Sequence, residues 1–141
     1  MHKKLHYSSW LIAPMLAFAL CLSAGTAAAG KLELSGANEV PPVTTAASGT
    51  GTITVADDGS VSGSVKATGL SATMAHIHLG ARDKNGPVII ALTQSANGEW
   101  PVPAGAKLSA EQMRSCKAGE LYVNVHTEAH KGGEIRAQLS P

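Results

Sequence analysis

Two short segments hold most of the residues able to do chemistry: Ala75-His76-Ile77-His78-Leu79 and Leu121-Tyr122-Val123-Asn124-Val125-His126-Thr127. Both alternate as strands do, and successive side chains of a strand point to opposite faces. Ala75, Ile77 and Leu79 therefore share one face, and His76 and His78 share the other. In the second segment Leu121, Val123 and Val125 form the apolar face, while Tyr122, Asn124 and His126 form the polar one. Where the two strands pair or pack together, three imidazoles converge on one surface. Neutral imidazole nitrogen is a ligand for Zn²⁺ and Cu²⁺, so His76, His78 and His126 are candidate ligands for a copper or zinc ion. His130 follows in the turn before Gly132-Gly133 and can fold back as a fourth ligand. A site closed in that way suits storage better than catalysis, because no position stays open for substrate. The alternative is structural, with the three rings hydrogen-bonded to polar neighbours such as Asn124, Glu134 and Arg136.

Other chemistry has little to stand on. The chain has no His-Glu-x-x-His, no nucleophile elbow with a Ser-His-Asp pattern, no phosphate loop and no Cys-x-x-Cys. Asp57-Asp58 precedes Gly59 and reads as a turn rather than a carboxylate pair. Glu134 and Arg136 share a strand face and read as a solvated ion pair. The formal net charge is +1 over 141 residues, and the one dense basic cluster is Lys3-Lys4. Charge alone thus draws this chain to neither nucleic acid nor an acidic membrane.

The elements that position the histidines come next. Lys3-Lys4, an apolar run over residues 10–22 and small residues over 24–29 have the layout of a secretory signal peptide. The apolar run is shorter than the roughly 20 residues of a membrane span. Cleavage is expected after Ala29, leaving one domain over residues 30–141 with no membrane attachment, periplasmic or secreted. That domain keeps a single cysteine, Cys116, and so no internal disulfide. It must rely on packing, a metal or self-association, and Cys116 is expected to pack inside as a small hydrophobe.

Within the domain, short alternating runs are separated by Gly, Pro, Asn and Asp. Strands are predicted over residues 31–35, 51–56, 60–67, 75–79, 88–92, 121–127 and 134–139, with Asp57-Asp58-Gly59 turning a hairpin. Pro41-Pro42 bars residues 38–43 from a central strand, which leaves a rigid connection. Trp100 and the Pro101-Val102-Pro103 piece read as irregular structure. In the last strand Ile135, Ala137 and Leu139 face the core, and Glu134, Arg136 and Gln138 face out. One helix is predicted over residues 109–117: Ser109 and Gln112 fit a capping box, and Gly119 supplies the stop. The expected fold class is all-β, an antiparallel Greek-key sandwich or barrel with one short helix.

Five pieces of the chain together resemble the CHRD domain, the module repeated in chordin and found alone in exported bacterial proteins. They are Leu34-Ser35-Gly36-Ala37-Asn38-Glu39-Val40-Pro41-Pro42, Ala75-His76-Ile77-His78-Leu79-Gly80, Asn85-Gly86-Pro87-Val88, the Leu121 to Thr127 strand, and Gly133-Glu134-Ile135-Arg136-Ala137-Gln138-Leu139. The resemblance implies a β-rich domain and carries no general biochemical activity with it. His130-Lys131 departs from the Asn-Pro expected in the closing turn, and Ala137 stands where Gly is common. His130 therefore rests on proximity alone. The two histidines of residues 76–78 also resemble, locally, the His-x-His strand of copper–zinc superoxide dismutase. Three functions remain: an exported, non-catalytic copper- or zinc-binding domain; a protein-interaction module with structural histidines, acting on a protein partner or as a homodimer; and a dismutase-like enzyme.

Overall fold

The computed structural model describes residues 28–140. Of the expected signal peptide, residues 1–29, all but Ala28 and Ala29 lie outside the described residues. Eight strands form one antiparallel sheet: β1 (Ala28–Ser35), β2 (Ser48–Val55), β3 (Val61–Thr68), β4 (Ala72–Leu79), β5 (Val88–Ala91), β6 (Glu99–Pro101), β7 (Leu121–Thr127) and β8 (Ile135–Gln138). Across the sheet they run β5-β4-β7-β8-β1-β2-β3-β6. The first strand starts two residues ahead of the domain boundary expected at Gly30.

The sheet curls into a half-barrel whose two edges approach each other. Beyond β5 the backbone N–H of Thr93 donates to Pro101 O, and that of Ser95 to Glu99 O, both at 2.9 Å. Strands β4, β5 and β6 thus follow one another, and β7 returns beside β4, which is Greek-key order. The expected antiparallel fold is borne out, on the barrel side of the alternative. One local expectation fails. Residues 99–101 are not irregular but form β6, with Trp100 buried against β3 through the Val65–Trp100 pair. Proline at the end of an edge strand removes no ladder donor that the sheet needs, so the flanking prolines misled.

Alternation fills the barrel interior. Val65, Ile77, Leu121, Val123, Val125 and Ile135 are all nearly inaccessible to solvent. The helix α1 (Ala110–Lys117) starts as predicted. Gln112 N–H donates to Ser109 Oγ, and Ser109 N–H donates back to the Gln112 side chain. Cys116 on this helix is buried and has no disulfide partner among the described residues. Among the described residues no helix is long and apolar enough to cross a membrane.

Candidate metal centre

The sheet register builds the site. β4 and β7 pair antiparallel with Met74 opposite His126, His76 opposite Asn124, and His78 opposite Tyr122. Period-two alternation then puts His76, His78, Asn124, Tyr122 and His126 on one face, as the sequence predicts. That face is closed to solvent except at half-buried His76 and exposed Met74. His78 is 7% exposed, His126 5% and Asn124 1%. A second buried layer, polar rather than apolar, lies on the outside of β4, β7 and β8.

Arg136 holds this layer together, and here the sequence reading is corrected. Arg136 does not face out, nor does it pair with Glu134; it is 1% exposed. Its guanidinium donates to the carbonyl oxygens of Ala81 (2.8 Å) and Lys84 (3.0 Å) and to the side chains of Asn85 and Gln138. It also lies 3.4 Å from the Tyr122 ring centre. The His78 ring stacks on Tyr122 as well, 4.7 Å away and nearly parallel, so the two groups take opposite faces of the phenol. Glu134 is likewise buried and accepts from Thr45 and Thr127 hydroxyls, each at 2.7 Å. Gln138, half-buried, donates to Gly80 O and Gly119 O. Bulky polar side chains with this many backbone carbonyls at hand are satisfied without water.

Loops at the sheet's end orient the imidazoles. His78 Nδ1 lies 2.9 Å from Gly86 O, and His126 Nδ1 lies 2.9 Å from Lys131 O. A carbonyl oxygen only accepts, so in both rings Nδ1 carries the proton and Nε2 carries the lone pair. His78 Nε2 is buried with no partner. His126 Nε2 stands 3.0 Å from His76 Nδ1. One ring nitrogen from each of His76, His78 and His126 falls within 4.8 Å of the others. Ligands about 2.0–2.1 Å from a tetrahedral ion stand about 3.3 Å apart, so modest side-chain rotation brings the three onto one ion.

The site's electrostatics keep these rings neutral, the form that binds metal. Burial pushes the pKa of His76 down, and the neighbouring His126 and His78 push the same way. His78 and His126 are also lowered, by burial first, against the raising effect of their carbonyl partners.

The structure does not bring His130 into this group. It sits in the turn after β7, where its backbone N–H donates to Thr127, and lines a surface groove with Pro41, Pro42 and Lys131. Glu39 forms part of that groove's wall and is itself buried; burial raises its carboxyl pKa to about 7 despite nearby Arg136. The segment around it is a strand-crossing connection, as expected, with Asn85 donating to Val40 O and Asn38 to Arg136 O.

Sequence reasoning missed the two orienting carbonyls and Glu39. Glycine was the available signal for the first. A Cβ at Gly86 would collide with the Leu79 carbonyl, and one at Gly133 (φ 125°) with Asn124 and Glu39. Only glycine lets these loops close over the histidine face. Nothing in the sequence marks Glu39 as buried.

Residues 31–139 match the family described as the CHRD domain. No curated protein and no solved structure matches the chain.

Proposed function

We propose, for a chain that belongs to the CHRD domain family, that its histidine face binds one copper or zinc ion and that the domain is a non-catalytic metal-binding module. The observation carrying this reading is the pair of Nδ1–H to carbonyl hydrogen bonds at His78 and His126. Metal-bound histidines are typically held by such a bond from the other ring nitrogen, which sets the tautomer and raises ligand basicity. His76, His78 and His126 are the ligands of this proposal. His130 belongs to the neighbouring groove. The leader-like residues 1–29 support an exported protein, periplasmic or secreted.

Metal analysis of untagged protein tests the reading. The expected result is close to one equivalent of copper or zinc after exposure and desalting, lost in His126→Ala. Protein that carries no stoichiometric metal overturns it.

One observation favours a second reading. The direct His76 Nδ1 to His126 Nε2 contact at 3.0 Å satisfies both rings without an ion, as structural histidines in an interaction module would be. The two readings part on stability: there His126→Ala costs fold stability and leaves metal content at background. A dismutase-like activity would appear as superoxide turnover by the copper-loaded protein that His78→Ala abolishes.

A further inference from the structure

Asn124 stands at the centre of the histidine face and is not accounted for by the three imidazoles. It lies on β7 between Tyr122 and His126 and directly opposite His76 on β4. It is 1% exposed, and its Oδ1 has no hydrogen-bond partner. Its amide nitrogen is committed elsewhere, donating to Gly132 O at 3.2 Å. The same nitrogen lies beside Glu39 Oε1, since a Cβ at Gly133 would meet both atoms at once, and the amide oxygen turns to the other side. The orientation of the amide is therefore set, with oxygen turned toward the imidazoles.

His78 makes this arrangement costly as it stands. Its Nδ1 proton goes to Gly86 O, so Nε2 presents a lone pair, and it too is buried with no partner. Two buried acceptors on one face are thus left without a protein donor. A buried acceptor left unsatisfied costs about 1–3 kcal/mol. A third buried acceptor, Glu39 Oε1, is also without a partner, but it lies on the nitrogen side of the amide. Among the described residues no side chain donates to these acceptors: Arg136 is spent on the loop carbonyls and Tyr122, and Gln138 on Gly80 and Gly119. A cation satisfies both acceptors at once.

We infer that Asn124 Oδ1 is a fourth ligand of the metal ion, completing an N₃O set with His76, His78 and His126. This rests on the metal-binding reading above and adds a selectivity to it. An amide oxygen is a hard donor, and a closed set of three imidazoles and one oxygen suits Zn²⁺ and Cu²⁺. Cu⁺ prefers soft sulfur ligands and gains little from the oxygen. The site is thus one for divalent ions, held without a bound water.

The test is titration of Zn²⁺, Cu²⁺ and Cu⁺ into wild type, Asn124→Leu, Asn124→Asp and His126→Ala. Water-proton relaxation at one equivalent of Cu²⁺ is read alongside. Wild type is expected to bind the divalent ions with little relaxation enhancement, because no water occupies the ion. Asn124→Leu should lose about 10- to 100-fold in divalent affinity, leave Cu⁺ affinity within about threefold, and show increased relaxation as water replaces the amide. Asn124→Asp keeps Oδ1 but gives up the donor to Gly132 O, so its Zn²⁺ affinity is read on the folded fraction, where its charge should tighten binding. A purely structural asparagine predicts otherwise: equal losses for Cu⁺ and Zn²⁺, unchanged relaxation and no gain with aspartate. That pattern overturns the inference while leaving the three-histidine site intact. Absence of any binding by wild type overturns both, whereas binding lost only in His126→Ala overturns Asn124 alone.

Discussion

The inside of the half-barrel and the layer outside β4, β7 and β8 are both buried, yet they are built on opposite chemistry. Inside, Val65, Ile77, Leu121, Val123 and Val125 pack without a polar atom to satisfy. Outside, Arg136 and Asn124 are buried just as deeply, with His78, His126, Glu39 and Glu134 also buried, and backbone carbonyls of three loops meet the layer's donors. The interior tolerates any well-packed apolar set, since hydrophobic burial is non-directional. The outer layer depends on each partner being in place, because a buried polar group deprived of its partner keeps its desolvation cost. Specific chemistry sits in the second kind of layer, where orientation is enforced.

Arg136→Ala is the strongest way to break that comparison. It frees the carbonyls of Ala81 and Lys84 and unlatches the loop that presents Gly86 O to His78. The expected loss is about 3–5 kcal/mol of stability, with metal affinity falling as well, measured by denaturant unfolding and metal titration. Leu121→Ala inside the barrel should cost about 3 kcal/mol by leaving a cavity. In that variant the metal affinity of the folded protein should be unchanged. Equal effects of the two variants on metal binding would erase the distinction between the layers.

Glu39 sharpens it through pH. Its folded pKa, about 7, lies above the ordinary value of 4.5. Such a group contributes stability that is complete below about pH 4.5 and is lost as pH rises through 7. The three histidines act the other way: their lowered pKa values make the folded state resist protonation, so stability falls as pH drops below 6.5. Wild type should therefore show a shallow stability profile between pH 5 and 8. Glu39→Gln removes the first contribution and should become more stable than wild type at pH 8 by about 2 kcal/mol. The full shift, which already includes the attraction to Arg136, is worth about 3 kcal/mol, and solvent screening discounts it. A Glu39→Gln profile parallel to wild type would contradict this.

Cys116→Ala carries the smallest effect. The cysteine is buried on α1, and burial raises its thiol pKa, which keeps it an unreactive hydrophobe. The substitution should cost about 1 kcal/mol in thermal unfolding and leave metal affinity unchanged. Tight Cu⁺ binding that vanishes in Cys116→Ala would move the site to the thiol, the softer ligand.

The sequence made the faces legible but not their cover. Alternation alone assigns His76, His78, Asn124 and His126 to one side of β4 and β7, and turn residues mark the hairpin at Asp57-Asp58-Gly59. Capping chemistry places α1 at Ser109. Period-two patterning says which residues share a face, however, and is silent on whether a loop closes over it. Arg136 and Glu134 alternate like solvated residues, and only the long-range packing of residues 36–45, 80–87 and 128–133 buries them. Trp100 failed for a related reason: flanking prolines suit an edge strand as well as a loop, and the pairing with β3 decides.

The central claim is that two backbone carbonyls and the sheet register aim three imidazoles at one ion. X-ray absorption at the zinc edge of protein loaded with one equivalent of Zn²⁺ tests it most directly. The account predicts nitrogen and oxygen neighbours at about 2.0–2.1 Å, with the outer-shell signature of three imidazoles that drops to two in His78→Ala. A sulfur neighbour at about 2.3 Å, or a spectrum that His78→Ala leaves unchanged, would contradict it.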